Sequence, residues 1–536
     1  MSDYNNIPIS GNVPKRYLRV DLSPSVVNDL LDPFLPGIFE PIERNSGGRS
    51  WGALEPYNEI AYLGLPWMEE LKVGMQDYQS YVPIFSVGDG GITRADICDV
   101  RNQIVKPRLP PRRVWDLYSN RVVPWWLTPI ELRLPYAQDR CRYGEDHEQP
   151  VPISHAWVDE KDRTAVWTPI NGKEWPVPIP RDADLNLIRI EMLNLGADYA
   201  WLDVLCLRQE GGPREDLRTE EWRLDVPTIG AVYDLRGRRC VDSPVVCYLS
   251  GLGRPLTLKE GDLDSDRSWF RRAWTLQEVG YKRVITGDTP DGPLHAECTE
   301  DGVYKTELLT KFHKQSTRYP CRMSDLLLEM RTRVSTKPMD KIAGLAFLMW
   351  SRWIPAYYES ASLEDAWTAL VHSMHDWLRM ELFLLCPEPG DGDPKWRPSW
   401  EQAMTKPLLP YRNDRGINRD ETRNEDWCEC KCTDGFVRGL AVVEGGDRHG
   451  KFIVKRCNGS REKRFEITAA HTYPIPEDTY TLIYVICYGE DRNESVLHAC
   501  VIGRSLPGGR FEKVSVLETS DTDLRRITKQ RRCILI

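Results

Sequence analysis

The chain has 536 residues, more than one ordinary hydrophobic core holds, so its length predicts roughly three domains. With 41% hydrophobic and 28% charged residues it reads as globular and soluble rather than disordered. A net charge of -9 and a pI near 5.7 leave no global basic field, which argues against nucleic acid as a partner. The best apolar run, Ile342 to Trp350, is about half of what a bilayer core requires.

Met1-Ser2-Asp3-Tyr4-Asn5-Asn6 lacks a charged n-region and an apolar h-region, and Ser2 does not suit myristoylation. Together with 15 cysteines, an odd number, this predicts a cytoplasmic protein with reduced thiols. Residues 1–145 are rich in Pro, Gly and aromatics and read as an irregular, packed N-terminal region. Val87-Gly88-Asp89-Gly90-Gly91 reads as a turn, because no Gly-Lys-Ser/Thr follows as a phosphate loop requires. Pro107-Arg108-Leu109-Pro110-Pro111-Arg112-Arg113 has polyproline character, but the adjoining Val114-Trp115 and Trp125-Trp126 predict a docked connector.

From residue 146 strand and helix signals alternate, and the domain is expected to run to 386. Val151 to Trp157, Tyr199 to Leu207 and Ser243 to Ser250 read as near-continuous apolar strands. Between them, a helix capped by Asp182 or Asp184 carries Leu185, Ile188, Met192 and Leu195 on one stripe and stops at Gly196. A second runs from Glu220 to Tyr233, shifted or kinked at Pro227. Such strands, joined by helices, predict an α/β domain with a parallel sheet covered on both faces. Ligands of these sheets bind at the carboxyl ends of the strands. That rule selects Ser154, His155 and Trp157 after the first strand, and Asp203, Cys206 and Gln209 after the second.

After the third strand, Asp264, Ser265 and Asp266 offer caps to a helix over Ser268-Trp269-Phe270-Arg271-Arg272-Ala273-Trp274-Thr275-Leu276-Gln277-Glu278. That helix would set Trp274 and Glu278 at i and i+4 on one face, with Arg271 on the same side. Arg283 to Thr286 suggests a further strand. Ser324 to Val334, Asp340 to Trp350 and Leu363 to Leu384 read as helices completing the domain.

Residues 387–427 read as a Pro/Gly/Asp linker and 428–519 as a small β-rich domain. In Cys428-Glu429-Cys430-Lys431-Cys432 the single-residue spacing puts three sulfurs on one face without CxxC geometry. Small apolar side chains are therefore expected there, and no metal set is predicted. Residues 520–536 read as a basic tail ending in Cys533-Ile534-Leu535-Ile536. A prenyl chain on Cys533 beside the basic cluster would supply two membrane signals, although Ile is not a usual last residue of that pattern.

Four blocks in order, Ser154-His155-Ala156-Trp157, Tyr199 to Gln209, Arg272 to Glu278, and Asp340-Lys341-Ile342-Ala343-Gly344-Leu345, resemble the signature blocks of the fungal heterokaryon-incompatibility (HET) domain. The likeness covers roughly residues 149 to 350. Its first block differs from the usual Ser-Tyr-x-Trp-Gly at His155 and Val158. The HET domain is in turn distantly similar to the TIR domain, some members of which hydrolyse NAD.

The resemblance implies a TIR/flavodoxin-like sheet and a role in non-self recognition and programmed cell death. Its partners would be other incompatibility signalling proteins, with self-association on activation. It also implies NAD or a related nucleotide as substrate rather than cofactor, with Glu278 catalytic. Trp274 or Trp157 would stack on a ring, Arg271 or Arg272 would meet the pyrophosphate, and Ser154 and Asp203 would bind ribose or adenine. His155 and Gln209 would complete the neighbourhood of Glu278. A non-enzymatic module that recruits death machinery through the same rim remains the other expectation.

Overall fold

In the computed structural model of the chain, the described residues are 103–104, 111–125, 128, 150–233, 244–256, 265–278, 283–286, 322–349, 351, 353–411, 415–443, 448–455, 462–487 and 497–536. The Val87 to Gly91 turn, Asp264 and most of the N-terminal region lie outside them. The chain divides into two compact units, Met1–Arg318 with Trp353–Tyr358, and Tyr319–Arg352 with Glu359–Ile536.

The first unit is built on a mixed six-stranded sheet. A hairpin of β2 (Arg113–Asp116) and β3 (Arg121–Pro124) is followed by β4 (Val151–His155), β7 (Tyr199–Leu202), β8 (Val245–Tyr248) and β9 (Arg283–Ile285), in the spatial order β3-β2-β7-β4-β8-β9. The last four strands are parallel to one another, and β2 joins β7 antiparallel. Every residue of β4, β7 and β8 is buried, as expected for apolar strands covered on both faces. A short pair, β1 (Gln103–Ile104) with β10 (Ile354–Pro355), and a hairpin of β5 (Arg163–Val166) and β6 (Val177–Pro180) complete the strands of this unit among the described residues.

The hairpin corrects the expectation of a purely parallel sheet, since its strands fall within the stretch read as a connector. Arg113 disguised it. That guanidinium is only 4% exposed and forks onto Glu221 at 2.6 and 3.0 Å, so a charged residue occupies an interior position of the strand end.

Between the strands lie α1 (Leu185–Asn194), α2 (Asp203–Cys206), α3 (Glu215–Asp225) and α4 (Ile229–Tyr233). The Asp184 carboxylate caps α1 by accepting from the Asn186 N–H, and Leu185, Ile188 and Met192 are its buried stripe. Gly196 ends it at φ 79°, a conformation that favours glycine. The helix expected over Glu220 to Tyr233 is two helices, with Pro227 in the break. The second strand stops at Leu202, where Asp203 begins a single helical turn.

The second unit contains α5 (Met323–Arg331), α6 (Met339–Ala346), α7 (Leu363–Ser373), α8 (Asp376–Leu385) and α9 (Trp400–Thr405). The first four, expected from their position in the chain to complete the sheet domain, group instead with the C-terminal half. α9 lies in the stretch read as a linker, starts with a Ser399/Gln402 capping box, and follows buried Trp396 and Arg397.

β11 (Asn418–Asp420), β12 (Glu425–Arg438), β13 (Arg448–Val454), β14 (Lys463–Ala469), β15 (Thr479–Cys487), β16 (Leu497–Leu506) and β17 (Arg510–Thr519) form one sheet. Its pairing closes on itself, because β12 bonds both β13 and β15. Phe452, Phe465, Leu482, Ile502 and Leu517 fill its core.

The C-terminal residues are not a separate tail. After α10 (Asp523–Ile527), β18 (Lys529–Leu535) pairs antiparallel with Asp426 to Cys432. Lys529 to Arg532 are exposed while Cys533 and Leu535 are buried. A prenyl chain on Cys533 would therefore require this strand to leave the sheet. Among the described residues no helix is long and apolar enough to cross a membrane.

Asp426, 5% exposed, is the polar node of this unit. It accepts from Arg379, from Arg419 Nη1 at 3.3 Å and from Trp396 Nε1 at 3.1 Å. Asp426→Ala leaves Arg379 buried without its counter-charge and is expected to destabilise the unit by about 3–5 kcal/mol. Asp426→Leu with Arg379→Met should recover most of that loss. Denaturant midpoints of the full chain measure both, and an unchanged midpoint for Asp426→Ala would refute the assignment.

Candidate functional site

The carboxyl ends of β4, β7 and β8 bring Ser154, His155, Asp203 and the segment 268–278 into one polar group. Ser154, the fourth residue of β4, is 1% exposed, so its hydroxyl needs partners inside the protein. It donates to Glu278 Oε2 at 2.5 Å and accepts from Trp269 Nε1 at 2.7 Å. His155 Nε2 lies 2.9 Å from Asp203 Oδ1, and its Nδ1 is 3.2 Å from the Ala156 carbonyl. Arg272 donates to the carbonyl of His155. Tyr233 donates its hydroxyl to the Ile153 carbonyl at 3.0 Å and presents its ring edge-on to Trp201.

The segment 268–278 is not the expected helix. It forms two 3-10 turns, Trp269–Arg271 and Trp274–Leu276. Ser268, rather than an Asp, caps the first by accepting from the Phe270 N–H. The Thr275 hydroxyl lies within donating distance of the Trp269 and Arg272 carbonyls, at 2.5 and 2.9 Å, so the break leaves polar groups satisfied. Trp274 and Glu278 therefore do not stack at i and i+4. Trp274 faces the Tyr357 ring, centroids 6.5 Å apart, and the indole that meets the Ser154–Glu278 pair is that of Trp269. Sequence reasoning gives Trp269 no role of its own; the signal that could have found it is that a buried indole N–H needs an acceptor.

Of the other expected site residues, Arg271 pairs outward with Asp266 at 3.0 Å. Gln209 donates its amide to the carbonyls of Leu207 and Asp203 at 2.9 and 3.3 Å and so secures the turn after β7. Trp157 is half-buried, with Arg163 and Arg272 over its ring at 4.9 and 5.4 Å and the His155 ring 5.6 Å away. Val158 packs against Gly251, where an added Cβ would lie 2.8 Å from Val158 Cγ1. Cys206 is buried, which pushes its thiol up to about 12 and rules it out as a ready nucleophile. Gln277, beside Glu278 and 1% exposed, makes no side-chain hydrogen bond among the described residues.

Two buried glutamates show what the electrostatics select. For Glu221, burial pushes the carboxyl up, but Arg113 and Arg112 outweigh it and hold it at about 2. For Glu278, burial also pushes up, and here it prevails: the charge of Arg272 and the Ser154 hydrogen bond offset it only in part, so the carboxyl lies above the ordinary 4.5. Glu221 is the pattern of a structural ion pair, whereas at Glu278 burial outweighs the partners. Burial raises Asp203 as well, but His155, by charge and hydrogen bond, and Arg272 bring it below its usual value.

Glu278 is 6% exposed, so it does not face an open rim. Neither is it neutralised by Arg271. Asp203, with 23% of its side chain exposed, and half-buried Trp157 mark where the group meets solvent. A shallow depression lined by Arg415, Gly416, Trp427, Glu429 and Gln530 belongs to the second unit and contributes nothing to this group. Comparison of the chain with family models, with curated proteins and with solved structures gives no match.

The contrast between the glutamates is measurable. Because the folded pKa of Glu278 is raised, its favourable contribution is complete below the unfolded value near 4.5 and is lost as pH rises through the folded value. At pH 7 Glu278→Gln is expected to stabilise the chain by about 1 kcal/mol, a gain that disappears below pH 4.5. Glu221→Gln, which removes the carboxylate onto which Arg113 forks, is expected to cost about 3 kcal/mol at pH 7. Thermal unfolding of both variants from pH 4 to 8 checks this, and a destabilised Glu278→Gln at pH 7 would contradict it.

Proposed function

We propose that this chain is a HET-domain effector of non-self recognition and programmed cell death, acting in the cytoplasm by cleaving the nicotinamide–ribose bond of NAD or a related nucleotide. The observation that carries the reading is the convergence of Ser154, His155, Asp203, Arg272 and Glu278, drawn from three of the signature-like blocks, on one hydrogen-bonded group. The parallel strands support the finer fold assignment. Numbered along the chain they lie in the order 2-1-3-4, which is that of flavodoxin-like doubly wound sheets. Ser154 and His155 end the first of them, beside the switch point between β4 and β8.

The chemistry asks little of the protein. Nicotinamide leaves as a neutral base when the C1′–N bond breaks, because the bonding pair discharges its ring cation, and an oxocarbenium-like ribose remains. Water adds at C1′ and releases a proton. The Glu278 carboxylate stabilises the developing cation, Ser154 holds that carboxylate, and Asp203 binds a hydroxyl. Arg272, placed over the Trp157 ring, is the cation nearest to hand for the pyrophosphate, and Trp157 positions it. Arg271, Trp274 and Gln209 have no part in this reading, since their side chains are engaged elsewhere.

The burial of Glu278 favours a second reading. At 6% exposure, with Ser154 already bonded to it, the group can serve as a rigid support for an interface that recruits signalling partners without catalysis.

Purified chain, clustered artificially to mimic self-association, is expected to release nicotinamide from NAD. Glu278→Gln should lower the rate about 100-fold or more while remaining folded. Absence of release from clustered wild type, or cell killing undiminished in Glu278→Gln, would favour the recruitment module instead.

A further inference from the structure

Cys428, Cys430 and Cys432 alternate along one buried face of β12, and Cys533 stands opposite Cys428 on β18. A ligand set confined to β12 was not credible, because its spacing makes no knuckle. Folding supplies the missing member from 101 residues away. The Sγ atoms of Cys430 and Cys432 are 3.3 Å apart, those of Cys430 and Cys533 3.5 Å, and those of Cys432 and Cys533 3.8 Å. Same-face positions two apart on a strand are separated by about 6.7 Å, so the Cys430 and Cys432 side chains lean toward each other. All three residues are buried, none more than 6% exposed. Among the described residues this is the one group of three or more His, Cys, Asp or Glu side chains close enough to share an ion.

We propose that Cys430, Cys432 and Cys533 form a three-thiolate site for a soft d10 cation, zinc or cuprous copper, that staples β18 to β12. A point about 2.3 Å from each sulfur, the Zn–S bond length, lies roughly 1 Å out of the sulfur plane, so small side-chain rotations complete the site. Thiolate ligands select these ions over magnesium or calcium. A disulfide would use two of the three sulfurs and leave the third unexplained, whereas one ion uses all of them.

Charge is also provided for. Arg531, held by Asp434 at 3.0 Å, interacts electrostatically with Cys432 and Cys533 and offsets the surplus negative charge of three thiolates. Binding displaces the thiol protons to solvent, with no change of oxidation state.

The test uses the full chain, reduced and stripped of metal under argon, then titrated with Zn²⁺ or with Cu⁺ against a competing chelator. One of the two ions is expected to bind one per chain below micromolar concentration and to raise the thermal midpoint by about 5 °C. X-ray absorption should report three sulfurs at about 2.3 Å. Cys430→Ser and Cys533→Ser should each weaken binding at least 100-fold.

Alkylation mapping of the wild-type chain, with and without metal, tests the same site if those variants fail to fold. Metal should protect Cys430, Cys432 and Cys533. Protection at other cysteines only, binding that survives both substitutions, or failure of both ions to bind below micromolar concentration would overturn the site.

Discussion

The hydrogen bond from Ser154 to Glu278 joins the end of the first parallel strand to the segment after the third, across 124 residues of sequence. A carboxylate taken out of water must be met by donors or cations, and the surrounding structure follows from that requirement. Trp269 completes the Ser154 hydroxyl, which fixes the direction of the first 3-10 turn. Arg272 reaches the His155 carbonyl, and its charge acts on both Glu278 and Asp203. A continuous helix over 268–278 would have kept its own backbone satisfied but could not have aimed both Trp269 and Glu278 at β4. Tertiary demand overrode local propensity.

The same interaction connects stability to chemistry. Glu221 is neutralised by a forked guanidinium and has no electrostatic demand left for a ligand. Glu278 retains one, because burial outweighs what Arg272 and Ser154 return. A cation arriving next to Glu278 would favour its ionised form, and by linkage the ionised form would favour the cation. An oxocarbenium-like ribose is such a cation.

What the sequence made readable was what depends on near neighbours. The three buried strands announced themselves through unbroken apolar runs, and the α1 stripe through its spacing and its Asp184 cap. Ser154, His155, Asp203 and Glu278 could be placed on one edge because the rule for parallel sheets needs only strand ends. The Arg113 strand could not be seen, since its charge is acceptable only opposite Glu221, 108 positions later. The basic residues of β18 read as a solvated tail because four consecutive exposed positions, Lys529 to Arg532, hide the inward-facing Cys533 and Leu535. The indole that meets the Ser154–Glu278 pair is Trp269 and not Trp274, a placement set by Ser154 and not by the segment itself.

These failures have a common form. Arg113 with Glu221, Ser154 with Glu278 and Cys430 with Cys533 are contacts between segments more than 100 residues apart, and each joins polar groups that would be costly to bury singly. Lys513 belongs with them: its ammonium donates to the carbonyls of Phe383 and Cys386 at 2.8 Å, meeting the end of α8 from a distant strand. Such pairs cannot be assembled locally, so their closure entropy is recovered only once the sheet on which they sit has formed. The apolar strands therefore specify the frame, and the polar pairs specify which of its possible packings is kept. In the first unit the pair of Ser154 and Glu278 makes that selection, tying the carboxyl end of β4 to the segment after β8.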